Sequence, residues 1–268
     1  MVIAIIAVLA GLLLPALARA RNRAWRTECA SQMRQLALGF SLFQGDHQDR
    51  FPPAAFDMGV NGLAWDSWLH SYIGGHATEA DLVRGLVPKV LCPKIELCPG
   101  DRVPLNPIWV NNGQRRTYSM NSVGIRPGLD YQVNTMNRAY PLPPISHGVG
   151  IFWQDEILAP DWDARGYSAA AVESPADSIL LVEEPHIQNA VGNVWPAISL
   201  GPKGPGDLYQ IDPSQRGRNN GNYQYGLHSQ RFNYLFHDNH VTSLKIEETI
   251  GTGTLEDPRG FWTVRQGD

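Results

Sequence analysis

The chain has 268 residues, a net charge of −4, 18% charged and 43% hydrophobic residues, which is enough for one large or two small domains with a proper core. The charge is unevenly divided: residues 1–50 carry six Lys/Arg against three Asp/Glu, and residues 51–268 carry sixteen against twenty-three. An acidic body argues against nucleic acid as a partner, while a basic collar beside an apolar start suits anionic lipid headgroups.

The first eighteen residues, MVIAIIAVLAGLLLPALA, contain no charge, and Arg19, Arg21, Arg23 and Arg26 follow at once. At 1.5 Å per residue this run spans ~26 Å, just short of a ~30 Å hydrocarbon core. Three readings are open. Ala16, Leu17 and Ala18 resemble a small-residue cleavage site of a secretory signal, although no positive charge precedes the apolar run. The run can also be a simple membrane anchor. Or it is a filament-forming helix, held in the bilayer before assembly and in a protein bundle afterwards. In that third reading Ile3, Ile6, Leu9, Leu13 and Leu17 are the assembly surface. Pro15, with Gly11, marks a flexible point, because proline removes one backbone hydrogen bond.

The third reading also accounts for the next segment of the chain. Trp25, Cys29, Met33, Leu36, Phe40 and Phe43 are spaced 4, 4, 3, 4 and 3 apart, one stripe of a helix. An apolar segment (residues 1–24) thus runs without a turn signal into an amphipathic one (25–45), which needs a head domain (46–268) to pack on. The helix should stop near Gln44, Gly45 and Asp46, ahead of Pro52 and Pro53.

Along the body, residues 65–73 read as a short helix ended by Gly74 and Gly75. Residues 78–87 read as another, with Thr78 as N-cap and Asp81 at the third position. Residues 116–124 suggest a strand or a strand–turn, and 126–170 are loop-rich. Residues 176–184 carry the clearest buried strand, Ile179 to Val182, with Glu183 and Glu184 leaving it as solvated charges. Residues 185–225, rich in Gly, Pro and Asn, read as long surface loops. The best hairpin covers 231–246: Phe232, Tyr234 and Phe236 alternate with Asn233, Leu235 and His237, and Asp238 with Asn239 fits a two-residue type I′ turn. A closing segment comes at 258–268, either an aromatic edge strand or a turn. The expected architecture is α+β: a spine helix packed on an antiparallel sheet with long loops.

The N-terminal helix resembles that of type IV pilins and type II secretion pseudopilins. In that family a basic leader is cleaved, the new N-terminus is methylated, and the helix packs in the filament core. The chain departs from the family pattern by beginning inside the apolar run, so the leader, cleavage site and acidic residue that the resemblance implies either lie upstream of Met1 or are lacking. A basic leader there would offset the arginines that follow the run and allow export of the head. His228, ten positions before Asp238, resembles the His-x9-Asp-Gly motif of a large group of prepilin-like proteins, with Asn239 in place of the glycine. The same group is matched by Tyr118-Ser119-Met120-Asn121 after Cys92-Pro93, and by Gly260-Phe261-Trp262-Thr263. The implied partners are copies of the chain or related pilins in a helical filament, and the inner membrane before assembly. The implied location is an extracytoplasmic head, reaching the cell surface or beyond.

Candidate chemistry is sparse. Cys92 and Cys98 could form a small disulfide, or remain free thiols. A zinc site is not expected, because no His lies near them in sequence. His228 could pin the hairpin by bonding Asp238, or join His237, Asp238 and His240 around a metal. Asp207, Asp212 and the asparagines at 219, 220 and 222 are candidates for calcium, without a recognisable spacing. Glu183 and Glu184 are the strand-end pair that a paired-carboxylate hydrolase would use, with Asp161 and Asp163 a second pair in a loop. No nucleophile elbow, phosphate-binding Gly loop or zinc-protease motif is present. Trp153, Trp162, Trp195, Tyr209, Tyr223 and Tyr225 could hold sugars or pack beneath loops. The reading favoured is a filament subunit, not an enzyme and without a cofactor. The alternatives are an anchored glycan-binding protein and an anchored hydrolase using Glu183 or His228 with Asp238.

Overall fold

The computed structural model describes residues 2–57, 62–85, 87–105, 113–122, 134–135, 148–154, 162, 166–199, 201–202, 227–229, 231–255, 257–265 and 267. The fold is α+β, with a long N-terminal helix and mixed sheets.

Helix α1 runs from Val2 to Asp46, 45 residues, or ~68 Å at 1.5 Å per residue. It is continuous across Pro15, where a flexible point was expected. The residue one turn earlier, whose carbonyl the proline ring crowds, is Gly11. The helix ends where Gln44 exhausts its bonding: its carbonyl accepts from the amides of His47 and Asp49. Gln48 and Asp49 then take φ of 56° each, which a continuing helix does not allow.

The two halves of α1 meet different surroundings. Ile3, Ile6, Leu9, Leu13 and Leu17 are all more than half exposed. Cys29, Met33, Leu36, Phe40 and Phe43 are buried in the main core. Trp25 is half-buried, its ring between the guanidinium groups of Arg21 and Arg102 at 4.8 and 4.6 Å. Phe40 stacks on Trp65 with centroids 5.7 Å apart. Gly39 lets the turn after α2 (Trp65–Leu69) come close, since a Cβ there would lie 2.5 Å from Ile73 Cγ2.

Nine strands form two sheets among the described residues. The five-stranded sheet has the order β7 (Ile198–Ser199), β3 (Tyr118–Asn121), β6 (Ile179–Glu183), β8 (Phe232–Phe236), β9 (Val241–Leu244). The other has the order β2 (Gly62–Ala64), β1 (Ala55–Asp57), β5 (Phe152–Gln154), β4 (Asn134–Thr135). Both are mixed and not purely antiparallel as expected: β3 pairs β7, and β5 pairs β1 and β4, in parallel. The parallel neighbours arrive through long connections, which carry no local hairpin signal.

The alternation in β8 sorts residues between two cores. Phe232, Tyr234 and Phe236 pack with Ile179, Val182, Ile246 and Trp262. Leu235 faces the main core with α1. The helices α2 and α3 (Glu79–Val83) lie where expected but are shorter, and Thr78 caps α3 by accepting from Asp81 N. The C-terminal segment is a closing turn, with a 3₁₀ turn at Gly260–Trp262.

Two local expectations are corrected. The hairpin turn is a three-residue loop, 237–239, not a two-residue type I′ turn: Asn239 N donates to Phe236 O and Phe236 N to His240 O, each 3.0 Å. Only Asn239 has positive φ, 72°, which is the pattern of a type I turn followed by one left-handed residue. Residues 185–199 are mostly buried rather than surface loop. Their asparagines satisfy buried polar groups: Asn189 Oδ1 accepts from Arg116 Nε at 2.8 Å, and Asn193 O from the same guanidinium at 2.9 Å.

Candidate functional site at the helix–head junction

The residues with chemistry gather where α1 passes from its exposed half to its buried half. Cys29, the first fully buried residue of the helix stripe, forms a disulfide with Cys98, 69 residues away, with Cα atoms 5.0 Å apart. The expected Cys92–Cys98 bridge is not made, and Cys92 is a free thiol. The reason is local. Cys92 sits between 3₁₀ turns at Lys89–Leu91 and Lys94–Glu96, which aim its sulfur at the carbonyls of Val87 and Pro88. Cys98 N instead donates to Thr117 Oγ1, 3.0 Å, at the entry to β3, and this sets its sulfur against α1. Burial, with Glu96 and Asp66 nearby, pushes the Cys92 thiol well above its usual range.

Beside the disulfide stand two further buried groups. His228 Nε2 is 3.5 Å from Cys98 Sγ and 3.2 Å from Glu183 Oε1. Glu183 is fully buried, not solvated as its position at a strand end suggested. It accepts from Asn233 N at 2.7 Å and from Asn233 Nδ2 at 3.0 Å. Asn233 Nδ2 also donates to Arg26 O, 3.2 Å, so strand, carboxylate and helix are tied through one amide. Gly100 makes room for the imidazole: a Cβ there would lie 3.0 Å from His228 Cε1 and 3.5 Å from Cys98 Sγ. Tyr118 completes the seam, its hydroxyl donating to Gln32 Oε1 at 2.9 Å. Burial, with Glu183 and Asp101 near, raises the Tyr118 hydroxyl well above its usual range.

One ligand atom from each of Cys29, Cys98, Glu183 and His228 lies within 4.8 Å of the others. With the sulfurs joined, the cluster is a covalent and hydrogen-bonded lock. As two thiols they would complete a sulfur, nitrogen and oxygen donor set of the type that takes zinc. Sequence inspection missed this group because its members are spread over 199 positions; residue spacing carries no signal for it.

The candidate metal set around the hairpin does not come together. His228 and Asp238 lie at opposite ends of β8, about five residues of extended chain apart, so their expected bond is not made. Asp238 instead accepts from His240 N and its ring. His240 stacks on Phe236. His237 packs edge-on against Phe51, and both of its ring nitrogens are buried without a hydrogen-bond partner among the described residues. Burial lowers its pKa to about 3, against a small upward pull from Asp238. The candidate calcium residues at 207, 212, 219, 220 and 222 lie outside the described residues, as do Asp161, Asp163, Tyr209, Tyr223 and Tyr225. Trp162 packs edge-on against Trp68, and Trp195 lies tilted against Phe152 with centroids 4.9 Å apart.

A second buried polar cluster matches no sequence motif. Arg116, fully buried, pairs with Asp66 at 2.8 Å. Glu96 beside them is buried, and burial and the Asp66 charge raise its carboxyl well above the usual range despite Arg116.

Above the Cys29–Glu183–His228 lock, a cavity of about 500 Å³ opens between helix and head. Arg19, Arg23 and Arg26 line it from α1, and His228 and Arg231 from the head.

Among protein-family models, curated proteins and solved structures, no match to the chain was found.

Proposed function

We propose that the chain is a structural subunit of a type IV pilus-like or type II secretion pseudopilus filament. It is held in the inner membrane by the first half of α1 before assembly, with its head on the extracytoplasmic side. It joins copies of itself or related pilins through that same half afterwards. The observation that supports this reading is the single helix with two surfaces. α1 is long and apolar enough to cross a membrane, with none of its apolar window buried, yet the same helix is bonded covalently to the head at Cys29. Such a helix transmits position: whatever buries residues 3–17 also places the head. The exposed Leu38 and Leu42 extend an apolar outer face alongside the head, where a neighbouring helix can pack. No catalytic step is part of this reading.

The test is electron microscopy of the native assembly with and without Ala10→Asp. A carboxylate in the middle of the apolar run costs roughly 2.5–3.5 kcal/mol on insertion, and Ala10 is exposed, so the head folds regardless. Helical filaments with this chain as repeating subunit, lost in the variant, are expected. Filaments that persist unchanged in the variant refute the reading.

A further inference from the structure

We propose that the cavity at the helix–head junction binds the phosphate of an anionic phospholipid headgroup while the chain is held in the membrane. This rests on the membrane-held state of the proposed filament subunit. Four guanidinium groups border the cavity, from Arg19, Arg23, Arg26 and Arg231, and no carboxylate lines it among the described residues. Arg19, Arg23 and Arg26 are spaced 4 and 3 apart, so they share one face of α1. None of their side chains has an ion pair or hydrogen bond among the described residues. Arg231 is held in place differently, donating to Ser243 O at 2.8 Å and to Glu248 Oε2 at 3.2 Å. A guanidinium has five N–H donors in a fork, so donors remain for a ligand.

Position selects the ligand. The exposed apolar run ends at Leu17. Arg19 and Arg23 follow at ~3 and ~9 Å along the axis, at 1.5 Å per residue. Arg19 therefore falls within the headgroup layer, ~5–8 Å thick outside the hydrocarbon, and Arg23 at its outer edge. A basic helix at a membrane surface attracts anionic lipid diffusely. Here the head supplies an opposite wall, His228 and Arg231, so the phosphate is held between two walls and not merely attracted. Arginine's fork suits phosphate oxygens two at a time. His228 also contacts Glu183 and lies 3.5 Å from Cys98 Sγ, so the wall is anchored by the disulfide-linked seam.

The experiment is native mass spectrometry of the full chain released from micelles containing equal phosphatidylglycerol and phosphatidylcholine. The expected result is retention of phosphatidylglycerol over phosphatidylcholine, reduced about fivefold by Arg231→Gln and by Arg19→Gln, on the scale of one basic residue at an anionic surface. Arg34→Gln, exposed on α1 away from the cavity, should leave the preference unchanged. Arg19 lies on the exposed half of the helix, so its variant reports binding even if Arg231→Gln disturbs the hairpin. Equal retention of both lipids, or a preference that only the helix arginines control, overturns the inference. So does displacement of the lipid by millimolar glycerol phosphate, which would make the cavity a site for soluble phosphate esters. Vesicle flotation separates headgroup binding from membrane anchoring. A chain that floats with vesicles but shows no headgroup preference sinks the inference alone; a chain that floats with no vesicle sinks both.

Discussion

The two halves of α1 share one helical backbone, yet among the described residues the large apolar side chains of 3–17 are exposed while residues 29–43 carry the head's core. The sequence difference between them lies in both hydrophobicity and pattern. The first half is apolar on every side, and so has no preferred face to bury. The second places Cys29, Met33, Leu36, Phe40 and Phe43 on one side, and polar groups such as Arg34 and Gln35 on the other. A striped helix can be satisfied by its own head. An unstriped one needs a surrounding medium, whether lipid or other helices. The chain thus confines its self-sufficient packing to one side of the arginine collar and leaves its unmet need on the other.

The largest effect expected is on the buried half. Phe40→Ala removes a ring stacked on Trp65 and edge-on to Phe51, and should cost about 3–5 kcal/mol in urea unfolding of the head. Leu13→Ala, the same kind of truncation on the exposed half, should stay within about 0.5 kcal/mol in the same assay. Similar losses from both would abolish the distinction between the halves.

The disulfide comes next. Closing a 69-residue separation should be worth about 2–4 kcal/mol. Cys29→Ser should therefore lower the unfolding midpoint strongly, whereas Cys92→Ala should barely move it. Thiol titration of the folded chain offers a separate check: one free thiol is expected, at Cys92, with slow reaction because of its raised pKa.

A smaller effect is expected from pH. His237 is neutral when folded because its nitrogens are buried, with a pKa near 3. Its pKa in the unfolded chain is about 6.5. Below that value the unfolded state takes up a proton that the folded state refuses until about pH 3. Stability should therefore fall as pH drops from about 6.5, by roughly 1–2 kcal/mol at pH 5. His237→Phe should flatten that fall in stability measured across pH 7 to 5. An unchanged slope would show that the imidazole is hydrated in the folded protein.

How much could be read from residues alone varies by element. The helix end near Gly45, the Thr78 cap, the buried strand at 179–183 and the hairpin at 231–246 all follow from local pattern, since caps, periodicity and turn residues act within a few positions. The hairpin loop is one residue longer than its sequence suggests, because Asn tolerates positive φ in either turn type. The short strands β1, β2 and β5 carry too few residues for a period. The burial of Glu183 was not legible: at a strand end a carboxylate ordinarily meets water, and Asn233 and His228, from a distant segment, bond it inside.

The sequence by itself determined that this chain begins with an apolar helix, continues it as an amphipathic one, and folds an α+β body behind it, because those features rest on local spacing. Only the tertiary structure decided that Cys98 bonds Cys29 and not Cys92. It alone decided that Glu183 and His228 meet at that bond, and that Arg231 closes a basic cavity opposite Arg19, Arg23 and Arg26. Pairings between groups tens to hundreds of residues apart depend on where strands and loops come to rest. Spacing along the chain holds no record of that.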